Sequence, residues 1–533
     1  MKVSNSAWRY ASRDLFKVAC SHCTTLEMAV AAKVPEALAI DEKYKEDLTK
    51  VLPVIQGIEY EAVVFEWLKQ DLGDDFVELD QPTMAETLEK LNAGVPVVAQ
   101  GFFERRDKDH FWSGYADLLI REDYDVRGTL EGKIEVVKSD RTTSSPKYVV
   151  WDVKCSKSFK DYYWIQVASY AEVLAEHGLA SELDLGIIGV RGITARKSLK
   201  VSLNALVKAK DRLFLTLDSI TPAEMTFSKV SSMHCEAKSV CEDLHCPYPK
   251  HCKLGLLAED PLNQIYQFRS QKDYANSGFK TLSQLAASEG EIAVGKLSQA
   301  KIDDHRAWAR VIERERTTGA RQFDVLEESN WLPLPNPNPN DLFFDIEWFT
   351  EVNAEHDSVF MFGAVNAEEQ FTAFESLDLS AEKQLFEEFV AFALAAMQAS
   401  PDARIYHYHN PEPRYLKTLS TRYGILAKET ELLISRMIDL RLIAMSRIRP
   451  GAGGYSIKQL ERYYDADTKL NRKGLVAGGD QALLYFDLAA KAQAQGDETE
   501  AARLLQIISA YNRDDCLSTK LLRDWLFELA EHQ

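Results

Sequence analysis

The segment "WLPLPNPNPN", Trp331 to Asn340, sets four prolines at alternate positions. Each pyrrolidine ring fixes φ and removes a backbone donor, so the stretch joins no helix and no central strand and runs extended. It is read as a linker, residues 331–340, that divides the chain. A length of 533 residues, 46% of them hydrophobic, lets both sides bury cores, and roughly 100–200 residues per domain predicts two to four domains.

Before the linker, residues 259–330 carry apolar positions at three- and four-residue spacing with a turn at Ser277-Gly278, which predicts a small helical module. Residues 1–258 alternate helical patterns ("IEYEAVVFEWLKQDL", "YYWIQVASYAEVLAEHG") with strand patterns ("YADLLIRE", "YVVWDVK", "LDLGIIGV"). After the linker, in 341–533, "DLFFDIEWF", "VFMFGAV" and "ARIYHYH" read as strands before a mostly helical remainder. Both long regions predict the α/β class.

No apolar run approaches the ~20 residues of a membrane span, and the first residues lack the apolar core of a signal peptide. A cytoplasmic protein with no membrane partner is expected. A net charge of −19 argues against coating nucleic acid through bulk electrostatics, yet it leaves room for a local basic groove beside acidic metal sites. No G-x-x-x-x-G-K-[ST] segment occurs, so any helicase motor must come from a separate protein.

In "KYVVWDVKCSK" the alternation of a strand puts Asp152 and Lys154 on one face about 7 Å apart, at the end of a largely apolar run. Alone this is an ion pair. Upstream, "SGYADLLIRED" places Asp117 on another apolar strand after Gly114, and downstream Gln166 and Tyr170 are four apart on one helix face. Two strand-borne carboxylates beside an ammonium suit metal-assisted phosphodiester hydrolysis.

The order Gly114-Tyr115-Ala116-Asp117, Asp152-Val153-Lys154, Gln166 and Tyr170 resembles the RecB-like branch of the PD-(D/E)xK nucleases, with its G-x-x-D, D-x-K and Q-x-x-x-Y motifs. The resemblance implies a restriction-endonuclease-like core. Its first motif is matched by "GIEYEAVVFEWL", which makes Glu61 a further ligand, although many relatives carry histidine where this chain has Tyr60. Asp117, Asp152 and Glu61 would bind Mg²⁺ or Mn²⁺, Lys154 would act on the scissile phosphate or water, and Gln166 and Tyr170 would position the strand.

Eight cysteines are too few for a disulfide scaffold. Cys241, Cys246 and Cys252 lie close together and Cys20 far away, and four thiolates suit iron–sulfur or zinc, with unligated thiols as the third alternative. Similar RecB-like nucleases of the AddB kind tie one N-terminal cysteine to a C-terminal trio, which implies a [4Fe–4S] cluster on Cys20, Cys241, Cys246 and Cys252. Cys235 competes with Cys241, and Cys23 enters through its zinc-like Cys20-x2-Cys23 spacing. Cys155 and Cys516 read as packing thiols.

In "NDLFFDIEWF" Asp345 and Glu347 share one face of an apolar strand, "AYNRDDCLSTK" sets Tyr511 and Asp515 at i, i+4, and Glu412 follows a strand. These residues can form a two-metal site with a tyrosine to orient water. The set resembles the DnaQ-like, RNase H-fold 3′–5′ exonucleases of the DEDDy type, with "MIDLRLI" (Asp439) and "YSIKQLERYY" as supporting segments and Glu412 where an aspartate is usual. His407 and His409 read as strand residues. Within 259–330, "SGFKTLSQLA" resembles a helix-hairpin-helix segment. The whole order resembles a bacterial family of RecB-like nucleases; the function expected is metal-dependent cleavage of single-stranded or end-exposed DNA in repair or recombination, with RNA processing or a binding scaffold as alternatives.

Overall fold

A computed structural model describes residues 1–47, 50–231, 246–352, 354–464, 469–470, 472, 476 and 478–531. The chain divides into two compact units: residues 1–258 with 352–355, and residues 259–351 with 356–533.

The first unit is built on strands β1 (Lys2–Ser4), β2 (Ala7–Tyr10), β3 (Phe76–Glu78), β4 (Val97–Asp107), β5 (His110–Arg121), β6 (Tyr124–Gly128), β7 (Ile134–Lys138), β8 (Tyr148–Val153), β9 (Leu185–Ile188) and β10 (Thr194–Lys197). Eight of them form one sheet, and β6 and β7 pair separately. β4 runs antiparallel along the length of β5, while β2 pairs with the start of β5 and β8 with its end. β8 and β9 are parallel, joined through the helix Asp161–Glu176.

Every residue of β8 is buried. Tyr148 and Val150 enter one core with Trp164 and Val167 of the helix Asp161–Glu176. Val149, Trp151 and Val153 enter a second core with Tyr60, Val64 and Leu68 of the helix Leu52–Leu72. Period-two alternation thus sends Asp152 toward the face of the first helix, which carries Gln166 and Tyr170.

One rung of β4 and β5 is irregular. Ala99 pairs with Leu118 and Gly101 with Ala116, leaving Gln100 and Asp117 opposite each other without regular pairing, and Gln100 has a left-handed φ of 57°. Ala116 and Leu119, three residues apart, consequently both reach the same core. Such distortions re-aim side chains beside functional sites.

The second unit holds β11 (Phe323–Val325), β12 (Leu342–Phe349), β13 (Ser358–Asn366), β14 (Phe371–Glu375), β15 (Ile405–His407), β16 (Met437–Asp439) and β17 (Ile448–Pro450). Five strands form a sheet in the order β14-β13-β12-β15-β16, with β12, β15 and β16 parallel and β13 and β14 antiparallel. The 34-residue helix Glu498–Glu531 buries Leu504, Ile508, Asn512, Cys516, Thr519, Leu522 and Leu526, the three- and four-residue stripe of an amphipathic helix.

Residues 259–330 contain the helices Gln271–Asn276, Leu282–Ala286 and Gln299–Thr318. Their Tyr274, Leu282, Leu285 and Ile312 share a core with Phe343, Tyr406, Leu440 and Ile443 of the sheet region. Residues 331–338 adopt neither helix nor strand, as prolines at alternate positions dictate. No helix among the described residues is long and apolar enough to cross a membrane.

Candidate active sites

In the first unit, strand pairing and two helices bring the motif residues together. Val153 N–H donates to Asp117 Oδ2 at 2.8 Å, so the Asp117 carboxylate leans across onto the end of β8. Asp152, 1% exposed, accepts from Gln166 Nε2 at 3.2 Å, and its Oδ2 lies 2.5 Å from Lys154 Nζ. Lys154 also sits over the Tyr163 ring, 5.5 Å from the centroid. Tyr170 packs against Gly114, where a Cβ would lie 2.8 Å from Tyr170 Oη. The glycine of the G-x-x-D motif is thus needed for the close approach of the helix.

Glu61, on the helix Leu52–Leu72, accepts a hydrogen bond from Gln100 Nε2. Burial first, and then the Asp117 charge, push the Glu61 carboxyl up to about 8. Burial also raises Asp152 well above the usual carboxylate range; the Lys154 ammonium opposes the shift and Asp117 adds to it. Lys154 stays protonated: burial disfavours its charge, but Asp152, Asp117 and Glu61 together hold it above its ordinary value. Tyr60 is buried and donates to the Gly189 carbonyl at 2.6 Å, so it serves the core.

Near the N-terminus, Cys20, Cys23, Cys246 and Cys252 are all buried. Cys23 Sγ and Cys246 Sγ are 3.7 Å apart. Their shared hydrogen bond draws the Cys246 thiol down to about 7 and holds Cys23 well above its ordinary value. Cys235 and Cys241 lie outside the described residues.

In the second unit, β12 carries Asp345 and Glu347 and the helix Glu498–Glu531 carries Tyr511 and Asp515. Ligand oxygens of Asp345, Glu347 and Asp515 all lie within 4.8 Å of one another, the one such group of three among the described residues. Strand and helix approach this closely because Asp345 pairs with Gly363 of β13, where a Cβ would fall 1.8 Å from Asn512 Oδ1. Asn512, fully buried, donates from Nδ2 to Asp345 Oδ2 at 2.8 Å.

Crowding shows in the titration of these groups. Burial first, then Asp515, push Glu347 up to about 8. Burial and the charges of Asp515, Glu347 and Glu412 raise Asp345 well above the carboxylate range. Desolvated carboxylates that repel one another fit a hard divalent cation, which takes oxygen ligands.

Lys458 Nζ donates to Tyr511 Oη at 3.2 Å, and Arg472 Nη1 lies 2.6 Å from Asp515 Oδ1 while also pairing with Glu461. Glu412 stands in the first turn of the helix Pro411–Tyr423. Its Oε2 is 3.4 Å from His407 Nδ1, with both atoms buried and in no hydrogen bond. His407 ends β15, and His409 N–H donates to Asp439, which caps the helix Leu440–Arg447.

All six motif residues of the first unit gather in one place, as do Asp345, Glu347, Tyr511 and Asp515 in the second, with Glu412 beside them on its histidine. Gln100, Gly363, Asn512, Lys458 and Arg472 are additional. Gln100 carries no sequence signal; Asn512 carries a weak one, beside Tyr511 on the same helix.

No curated protein and no solved structure matches the chain. Residues 342–527 match the family model RNase_H_2 of the RNase_H superfamily. This C-terminal stretch is thus similar to an RNase H-like domain, and the Asp345, Glu347 and Asp515 carboxylate cluster lies within it.

Proposed function

We propose that the chain is a metal-dependent nuclease that hydrolyses phosphodiester bonds of DNA, on single strands or at ends, in repair or recombination, with one site in each unit. The observation that carries this reading is the Asp345, Glu347 and Asp515 group, three mutually close carboxylates in an RNase H-like domain. These residues would hold Mg²⁺ or Mn²⁺, with Glu412 as a further ligand. A bound divalent cation supplies Lewis-acid stabilisation of phosphoryl charge and a more acidic water. Tyr511, held by Lys458, orients the attacking water, in keeping with a 3′–5′ exonuclease.

In the first unit Asp117, Asp152 and Glu61 would hold the cation as in RecB-like PD-(D/E)xK nucleases. Lys154 keeps its proton and presents an ammonium to the scissile phosphate. Gln166 orients Asp152 through its 3.2 Å hydrogen bond, and Tyr170 fills the space that Gly114 leaves. Cys20, Cys241, Cys246 and Cys252 would carry a [4Fe–4S] cluster. Cys20, Cys246 and Cys252 are buried; zinc is the alternative, with Cys23 and Cys235 as rival ligands. A separate helicase would supply unwinding.

The test compares wild type with Asp152→Ala and Asp345→Ala on labelled single-stranded DNA and RNA, with Mn²⁺ and with chelator. Each variant should lose one metal-dependent activity. Activity on RNA alone that vanishes with Asp345→Ala would instead support an RNA-processing exonuclease. A binding scaffold is the second reading, favoured by the Arg472 guanidinium on Asp515 and by His407 on Glu412; equal, metal-independent inactivity of every form would overturn both enzyme readings. Anaerobically purified protein should be brown and contain iron, and colourless protein holding zinc would reject the cluster.

A further inference from the structure

A cavity of about 710 Å³ opens beside the first site, lined by Gln100, Tyr115, Phe76, Leu79, Gln81 and Lys69 among others. Tyr115 stands two residues before Asp117 on β5 and is 44% exposed. Its cross-strand partner is Phe102, whose ring lies 4.9 Å away and tilted by 49°. One side of the tyrosine ring is therefore backed by a second aromatic, while the ring lines the cavity. The long antiparallel pair β4–β5 holds both rings on a rigid support.

Gln100 joins the cavity to the site, because its amide donates to Glu61. The wall also carries Glu78 and Asp80, which repel a phosphate from the interior. The chemistry inside suits a flat, uncharged group with an apolar face and a hydrogen-bonding edge, and the amides of Gln81 and Gln100 offer both donors and acceptors. Lys69 lies eight residues after Glu61 on the same helix, about two turns along it, where a cation can meet the backbone of a bound strand.

We propose that this cavity is a nucleobase subsite: one unstacked base of a single-stranded nucleic acid packs on Tyr115 with its edge toward Gln81 and Gln100, next to the phosphodiester that the first site cleaves. This rests on the reading of the first unit as a nuclease. A base inside a duplex has both faces covered, so the subsite selects single strands, and aromatic stacking tolerates any sequence.

The test measures binding of a fluorescein-labelled single-stranded oligodeoxynucleotide, and of an abasic strand of equal length, to the full chain with calcium present. Tyr115→Ala should lose about tenfold in affinity for the base-bearing strand, the scale of one base–aromatic stack. Tyr115→Phe should bind as wild type does, and on the abasic strand all three proteins should be equal. Wild-type affinity in Tyr115→Ala, or equal losses on both strands, overturns the subsite. Wild-type protein that neither binds nor cuts any strand overturns the nuclease reading, and the subsite falls with it.

Discussion

Asn512 holds the Asp345 carboxylate through a single hydrogen bond in a fully buried place. Residues that orient metal ligands typically cost about 10–100-fold in activity or metal affinity when removed. Asn512→Ala should therefore lower Mn²⁺ affinity, read by calorimetric titration, by at least about tenfold while leaving the fold intact by circular dichroism. The raised carboxyls add a pH dependence. Glu347 rises from 4.5 to about 8, so the metal-free folded state binds a proton that the unfolded chain has released across this window. Its stability should fall as pH rises from about 4.5 to about 8. A divalent cation competes with that proton, so the cation-induced rise in Tm should be larger at about pH 8.5 than at about pH 6. A constant rise would contradict the carboxylate assignment. Asp152 and Asp345 were legible in the sequence because an acid interrupts an apolar strand. Gln100 was not, since its place opposite Asp117 and its left-handed φ arise only when β4 and β5 pair.

At the scale of elements, β8 is the strand on which the first site depends. Both its faces are covered, and Trp151 stands opposite Gly186 of β9, where a Cβ would come within 2.2 Å of the indole. Gly186→Ala should destabilise the protein by about 1–3 kcal/mol, the cost of overpacking a filled core, measured by urea denaturation. The apolar run "YVVWDVK" announced such a strand, and the strand readings at "YADLLIRE", "LDLGIIGV" and "DLFFDIEWF" correspond to β5, β9 and β12. The β4 strand was harder to see. In "VVAQGFFERRD" the apolar positions change face at Gln100, so no single period describes it. The continuous core between residues 259–330 and the sheet of the second unit was likewise hidden, because the proline segment reads as a break in composition and cannot reveal what packs across it.

At the scale of the molecule, the two carboxylate sites lie in different compact units, with no ligand in common. Substitutions at Asp152 and Asp345 should then act independently: on a substrate that both sites cut, the two single-variant rates should sum to the wild-type rate within about a factor of two, and the double variant should be inactive. A double variant no worse than one single variant would place all activity in one unit.

The partnership of Asn512 with Asp345 spans 167 residues of chain, and Asp515 lies farther along the same helix. Domains fold as units while the ribosome delivers them, and this one cannot gather its three carboxylates until the helix Glu498–Glu531 has been made and has docked on β12 and β13. A nascent chain halted upstream of that helix carries Asp345 and Glu347 but not the third acid. Truncated products of interrupted translation are thereby born without the complete second site, so any activity that needs all three of these carboxylates belongs only to chains whose synthesis has passed that point.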